Sequence, residues 1–314
     1  MKLMFRSFAM MTPTLRVLAA ALLAAAALAL HAQPLLFHDH GHGLAFTSDG
    51  KTLLAPSHEG LAAFRDGAWS DTAGAIGGFS GFSVTEGAIY SSGHSRAGIA
   101  GAGSAGLIRS TDGGRTWQPV ALAGEADFRL LAAGYRSHAI YVVSGRPNSV
   151  MPAPGLYVTH DDGKSWRVGA ALGLAGEFHA LAAHPREAST LAAGTGRGLF
   201  LSRDAGESFV RLDGREPATA VAFDVDGKRL RYARALSNEV VETALQGRER
   251  RELRLPRLGL DYVTCLAQNP TDERVLAFAT RRRDVYITND GGRTWRRIAG
   301  EVDTQAEDGR RDAR

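Results

Sequence analysis

Four copies of one eight-residue motif constrain the fold of this chain more than any other feature. Each copy has the form (Ser/Thr)-x-Asp-x-Gly-x-(Thr/Ser)-(Trp/Phe) and follows a short strand-like run. The copies occupy residues 110–117, 159–166, 202–209 and 288–295. Four copies in the same local context indicate a repeated supersecondary unit.

The residue types of the motif predict a stabilised β-hairpin corner. The Asp carboxylate can accept hydrogen bonds from nearby backbone N–H groups and so close a tight turn. The Gly two positions later supplies a positive φ without steric cost. The hydroxyl residues link the two strands, and the aromatic residue begins the next strand with a large apolar face.

The spacing of the motif gives the size of the repeating unit. The motif aspartates, Asp112, Asp161, Asp204 and Asp290, are 49, 43 and 86 residues apart. The last interval is twice 43, which predicts a unit without the motif near Gly247. A shortened copy surrounds Asp66. Units of roughly 40–50 residues with four short strands are typical of propeller blades.

The openings of the units complete the fold prediction. Similar strand openings begin near residues 42, 79, 128, 178, 218 and 262. We therefore expect an all-β chain that forms a β-propeller with six four-stranded blades rather than seven.

The two ends of the chain differ in composition from the repeats. Residues 1–32 combine Lys2, Arg6 and Arg16 with an Ala- and Leu-rich run that is too short to span a membrane. This composition predicts a secretory signal peptide. Residues 33–300 are expected to form a single propeller domain, and the charged residues 301–314 a disordered tail. The expected location is periplasmic or secreted, with no membrane span after cleavage.

Charge and cysteine content exclude some classes of function. The net charge of +4 falls to +1 once Lys2, Arg6 and Arg16 are set aside, so we expect no nucleic-acid binding. The single cysteine, Cys265, excludes an intramolecular disulfide. We expect Cys265 to be a small buried residue of an inner strand. We also expect the protein to be a monomer.

The repeated motif resembles the Asp-box, or BNR, repeat of sialidase-like β-propellers. In overall pattern the chain is similar to small exported bacterial proteins described as glycosylhydrolase-like. The resemblance implies the propeller fold, with ligands bound on the face opposite the boxes. It does not imply the sialidase reaction, because the early (Phe/Tyr)-Arg-Ile-Pro motif of sialidases does not occur here.

Six histidines are expected on the face opposite the boxes. His38, His40 and His42 alternate along the chain and would share one side of an extended strand. Imidazole ligands suit Zn, Cu or Ni, so one hypothesis is a metal site. The other interpretation is that the histidines cap strand ends and bond to the backbone. The candidate ligands are His38, His40, His42, His58, His94 and His179.

Arginines and acids on the same face suggest two further kinds of site. Guanidinium groups can bind an anionic ligand, and the candidates are Arg129, Arg146, Arg197 and Arg281. A glycoside hydrolase needs two carboxyl groups across its site. The weak catalytic candidates are Asp39, Glu59, Glu177, Asp261 and Tyr262.

Two functions therefore remain open at this point. The first is a ligand- or partner-binding protein that recognises a glycan or a protein through the His- and Arg-bearing face, with or without a transition metal. The alternative is a sialidase-like glycoside hydrolase that acts on periplasmic or extracellular glycans. The segment 33–37 is a candidate for closing the ring by pairing with the last blade.

Overall fold

The structure is a computed structural model that describes residues 43–300 except 58–59, 73–76 and 96–102. The predicted signal peptide, the charged tail and the segment 33–37 lie outside these described residues. The regular structure in the described part of the chain is all β. No helix among the described residues is long and apolar enough to cross a membrane.

The first three blades follow the repeat units in chain order. Blade 1 contains β1 (Ala45–Phe46), β2 (Leu53–Pro56), β3 (Leu61–Arg65) and β4 (Ala68–Thr72). Blade 2 contains β5 (Gly78–Val84), β6 (Ile89–Ser95), the short β7 (Gly103–Ser104), β8 (Leu107–Ser110) and β9 (Gln118–Ala121). Blade 3 contains β10 (Leu131–Ala133), β11 (Ile140–Ser144), β12 (Gly155–Thr159) and β13 (Arg167–Gly169).

The last three blades repeat the same order. Blade 4 contains β14 (Phe178–Ala183), β15 (Leu191–Thr195), β16 (Gly198–Ser202) and β17 (Val210–Asp213). Blade 5 contains β18 (Ala218–Phe223), β19 (Arg229–Arg234), β20 (Glu239–Ala244) and β21 (Arg251–Leu253). Blade 6 contains β22 (Val263–Gln268), β23 (Leu276–Thr280), β24 (Val285–Thr288) and β25 (Arg296–Ala299). Each sheet is an antiparallel meander, with β7 as an extra strand on β6. The prediction of six blades is confirmed.

Side chains between neighbouring blades form the core. In one such cluster, Tyr141 and Leu156 of blade 3 pack with Ala193 and Phe200 of blade 4. A cluster of the same kind joins blade 6 to blade 1, where Ala277 and Val285 pack with Leu53 and Phe64. The propeller is therefore closed by apolar packing between its first and last blades.

Two hydrogen bonds accompany this closure. The Trp69 indole donates to the Ile298 carbonyl at 2.7 Å, and the Asn269 amide donates to the Gly50 carbonyl at 2.8 Å. Both bonds run from one end of the repeat array to the other. The predicted role of residues 33–37 in closing the ring lies outside the described residues.

The chain direction defines two faces. Because the strands of each blade are antiparallel, the turns between its first and second strands lie on the same face as the Asp-box corners. We call this the box face. The loops between second and third strands, and the connections between blades, lie on the opposite face.

The Asp-box carboxylates make the hydrogen bonds that the motif predicts. Asp112 Oδ1 accepts from the backbone N–H groups of Arg115 and Thr116 at 3.0 and 2.9 Å. Its two oxygens also accept from the hydroxyls of Ser110 and Thr116 at 2.8 and 2.6 Å. The other boxes repeat the pattern around Asp161, Asp204 and Asp290.

The box glycine couples each corner to the preceding blade. Gly114 has a φ of 89°, and a Cβ atom there would lie 2.5 Å from Leu61 Cδ2 of blade 1. In the third box, a Cβ on Gly206 would meet Leu156 of blade 3. A side chain at this position would therefore strain both the turn and the contact between blades.

The two predicted units without a full box are also present. In blade 1 the corner is a two-residue turn, in which Asp66 and Gly67 have φ values of 51° and 84°, as in common β-hairpins. In blade 5 the Thr243 hydroxyl donates to the Arg248 carbonyl at 3.1 Å and links the two sides of the corner.

The hydrogen bonds of the Asp boxes should make the stability of the fold sensitive to acid. The Ser165 hydroxyl and backbone N–H lower the pKa of Asp161 from 3.8 to about 2. Since the unfolded chain then binds more protons between pH 2 and 4, the box stabilises the fold above pH 4. That contribution is lost as the pH falls through 2. We expect Asp161→Asn to lower the melting temperature at pH 7 and to flatten its decline below pH 4.

Thermal unfolding followed by circular dichroism from pH 2 to 7 measures this effect. The matched control is Asp66→Asn, because the Asp66 side chain is 93% exposed on the same face and belongs to a turn without a full box. An Asp161→Asn protein with the same acid profile as the native protein would contradict the assigned role of the carboxylate.

Candidate functional site

The axial channel has a mouth on each face. On the box face the channel end holds about 200 Å³, and Tyr135 and Asp224 are among its lining residues. On the opposite face it holds about 180 Å³, and Arg129, His179 and Thr264 line it together with apolar residues of the inner strands. Two of the predicted site residues, Arg129 and His179, therefore lie at the opposite mouth.

A larger cavity lies beside this mouth, between blades 2 and 3. It holds about 400 Å³, and we call it the interblade cleft. It is bounded by His94 at the end of β6, by residues 125–130 before β10, and by residues 143–146 and Asn148 after β11. All three segments belong to the face opposite the boxes, because they lie at strand ends remote from the Asp-box corners.

Three of the predicted site residues meet in this cleft. His94, Arg129 and Arg146 all line it, and Arg129 also lines the channel mouth. Both arginines are exposed. Neither guanidinium has an acidic partner within 4 Å among the described residues, so both can donate to a ligand.

Two acids that line the cleft were not among the predicted candidates. Asp127 has a side chain only 9% exposed, and its Oδ2 lies 3.6 Å from Nδ1 of the largely exposed His94. Within the described part of the chain, Asp127 Oδ1 is buried without a hydrogen-bond partner. Glu125 is exposed and accepts the Ser149 N–H at 2.8 Å, and this hydrogen bonding lowers its pKa.

Two other buried carboxylates on the same face, unlike Asp127, have hydrogen-bond or ion-pair partners for their oxygens. Asp213 is 5% exposed and lies 2.7 Å from Nη2 of the equally buried Arg234. The Tyr232 hydroxyl also donates to it. Asp261, one of the predicted catalytic candidates, accepts the backbone N–H groups of Tyr262 and Arg282 at 2.9 and 3.1 Å. Of these three carboxylates, Asp127 is the one with an oxygen left unbonded.

The remaining described candidates lie on the same face outside the cleft. Glu177, Arg197 and Arg281 are exposed at the ends of other blades. Tyr262 is half-buried, and its carbonyl accepts the Arg281 N–H at 2.9 Å. The structure does not bring these residues to the interblade cleft.

Four of the six predicted metal ligands lie outside the described residues, namely His38, His40, His42 and His58. The catalytic candidates Asp39 and Glu59 also lie outside them. Of the described candidates, His94 lines the cleft and His179 the channel mouth. The described residues contain no group of three His, Cys, Asp or Glu side chains suited to a metal ion. A Zn, Cu or Ni site built on the unplaced histidines stays a prediction.

A different histidine performs the structural role considered as the alternative to metal binding. His184 is buried, and its Nε2 lies 2.9 Å from the Gly227 carbonyl. Its Nδ1 accepts the Arg186 and Glu187 N–H groups at 3.1 and 2.9 Å. The imidazole thus carries its proton on Nε2 and joins blade 4 to blade 5.

The single cysteine lies in inner strand β22, where burial raises the pKa of the Cys265 thiol to about 11.

A signal for Asp127 was present in the repeat alignment. Asp127 stands two residues before Arg129, as Glu177 stands before His179 and Tyr262 before Thr264. The alignment therefore placed a polar residue at this position in three units. It could not show which of them would be buried beside a cavity.

Comparison with known proteins agrees with the fold. The model of the BNR/Asp-box repeat family matches residues 108–119, which form the first full box. Four of the six blades carry a full Asp box, so the fold is a six-bladed β-propeller with BNR/Asp-box repeats. No curated protein shows significant sequence similarity to it.

Solved structures show the same architecture at low sequence identity. The GH74 xyloglucanase from Xanthomonas campestris is 18% identical, with 84% of this chain and 46% of that chain covered and a TM-score of 0.52. A GH74 enzyme from Niastella koreensis is 16% identical, with 82% and 45% covered and a TM-score of 0.56. A chain of a nidogen/laminin complex is 14% identical, with 75% and 88% covered and a TM-score of 0.56. This chain spans less than half the length of the two enzymes, and the likeness establishes the fold alone.

The contrast between Asp127 and Asp213 predicts opposite effects of the same substitution. Asp127→Asn removes a buried charge that lacks a cation, so we expect it to raise the free energy of unfolding by about 1 kcal/mol at pH 7. Asp213→Asn breaks a buried ion pair and should lower the free energy of unfolding by about 3 kcal/mol.

Urea unfolding of the two variants and the native protein measures both effects. A loss of stability in Asp127→Asn as large as that in Asp213→Asn would show that Asp127 is a structural residue. That result would remove it from the site.

Proposed function

We propose that this protein binds a glycan in the interblade cleft without cleaving it. The observation that carries the proposal is the meeting of His94, Arg129, Arg146 and Asp127 around one cavity of about 400 Å³. A cavity of that size is within the range of ligand pockets. The guanidiniums of Arg129 and Arg146 are exposed and have no acidic partner among the described residues. Asp127 Oδ1 is buried without a hydrogen-bond partner there.

The chemistry of the cleft suits a ligand rich in hydroxyl groups. Each guanidinium presents five N–H donors in a fixed plane, while a carboxylate accepts hydrogen bonds. A saccharide offers both the acceptors and the donors that these groups need. The GH74 neighbours, one of which is named as a xyloglucanase, support a glycan ligand by analogy of fold only.

The proposed setting is outside the cytoplasm. The basic and apolar pattern of residues 1–32 supports export to the periplasm or beyond, where glycans would be encountered. We propose that the protein acts there as a monomer.

Hydrolysis is the second candidate function, because Glu125 and Asp127 line the same cleft. A glycosidase needs one carboxyl group that stays protonated to serve as the general acid, with a raised pKa. The Ser149 hydrogen bonds instead lower the pKa of Glu125. Glu125 is therefore poorly suited to be that general acid, and we rank hydrolysis second.

Binding should depend on the cleft arginines. Arg146→Ala removes charged donors from one wall, and we expect glycan affinity to fall about tenfold, since a hydrogen bond to a charged group contributes about 1.5–3 kcal/mol. A glycan array identifies ligands, and isothermal titration calorimetry measures their affinity. The matched control is Arg197→Ala, on the same face in blade 4 but outside the cleft. Equal affinity of the Arg146→Ala and native proteins would refute this site.

Catalysis should be absent under conditions that permit binding. A panel of aryl glycosides and soluble xyloglucan oligosaccharides, followed by chromophore release and chromatography, should show no turnover above a protein-free blank. Turnover that disappears in Asp127→Asn would replace the binding proposal with hydrolysis.

A further inference from the structure

Asp127 is an unusual group to leave in the wall of a cavity. Its carboxylate is about nine-tenths buried, and Oδ1 has no partner among the described residues. Removing a charge from water is costly unless another group replaces the water. The neighbouring His94 imidazole, 3.6 Å from Oδ2, is a charged partner only when it is protonated.

The same face shows two ways in which the fold normally satisfies such an acid. Asp213 receives the guanidinium of Arg234, and Asp261 receives backbone N–H groups. At Asp127 neither device is present in the described part of the chain. The carboxyl torsion is soft, so a small rotation can turn either oxygen toward a molecule in the cleft.

The cleft is poorly suited to a neutral sugar ring. Neutral sugars commonly stack a ring face on an exposed aromatic side chain, and the aromatic residue in this lining is Phe128. Phe128 is 1% exposed, and its ring packs on Trp166 with centroids 6.0 Å apart. Recognition in the cleft must therefore come from charged and polar groups.

The charges in the cleft differ in how strongly water screens them. Arg129 and Arg146 are exposed, so solvent and salt weaken their fields. Asp127 is buried and is screened much less. Glu125 adds a second, exposed negative charge to the same lining. Because Asp127 is the buried charge, the innermost charge that a ligand meets is negative.

We infer that the interblade cleft selects amino sugars and that Asp127 is the anion that binds the ligand's ammonium group. An ammonium supplies both the positive charge and the three donors that this carboxylate lacks. The arginines then donate to hydroxyl and ring oxygens of the same saccharide. This inference rests on the proposed glycan-binding function and narrows its substrate class.

Three tetrasaccharides with the same β-1,4-linked backbone test the inference. The glucosamine tetramer carries an ammonium at C2, tetra-N-acetylchitotetraose carries a neutral amide there, and cellotetraose carries a hydroxyl. Calorimetry at pH 6 should give at least a tenfold higher affinity for the glucosamine tetramer than for the other two. Asp127→Asn should remove that preference by lowering the affinity for the glucosamine tetramer to about that of the same variant for cellotetraose. Asp66→Asn, the same chemical change on the box face, should keep it.

The outcomes separate the inference from the proposed function. Equal affinity for the three tetramers, or a preference that survives in Asp127→Asn, overturns the amino-sugar inference and leaves glycan binding intact. No binding of any tetramer, with other array glycans bound, also overturns the inference alone. No binding of any glycan overturns both. The comparison of ligands on the native protein remains decisive even where Asp127→Asn fails to fold.

Discussion

The hydrogen-bonded carboxylate of the Asp box is the local constraint on which the propeller depends. The carboxylate accepts hydrogen bonds from nearby hydroxyl and backbone N–H groups, as Asp112 does from Ser110 and Thr116. These bonds fix the corner between the two outer strands of a blade. The corner then holds the box glycine against the preceding blade. Local turn chemistry thus sets the spacing between blades, and packing between blades closes the ring. The carboxylates and hydroxyls of the corners bond to one another, and we therefore place the proposed ligand site on the opposite face.

Most of the fold could be predicted because its determinants are local. The interval of 86 residues between Asp204 and Asp290 was enough to place blade 5, although its corner has no box. The contacts that close the ring could not be predicted from the repeat spacing. Closure depends on contacts such as Trp69 with Ile298, which join residues from opposite ends of the repeats and leave no periodic pattern.

The site could be predicted only in part, since burial decides what each polar residue does. The repeat pattern predicted that His94, Arg129 and Arg146 share the face opposite the boxes, and there all three line one cleft. The same pattern could not distinguish Asp261, which is occupied by backbone N–H groups, from Asp127, which is left with an unbonded oxygen. The number of histidines was a weaker guide to the site, because some have a structural role. His184, for example, forms a hydrogen bond that links two blades.

We propose that the ligand binds in the cleft between blades 2 and 3 rather than in the axial channel. The cleft lining combines buried and exposed charges, whereas the channel is lined mainly by apolar residues of the inner strands. A crystal structure of the protein with a bound oligosaccharide tests this claim most directly. The account predicts a saccharide in the cleft, within hydrogen-bond distance of Asp127 and Arg146. A saccharide seated in the channel or on the box face would contradict it.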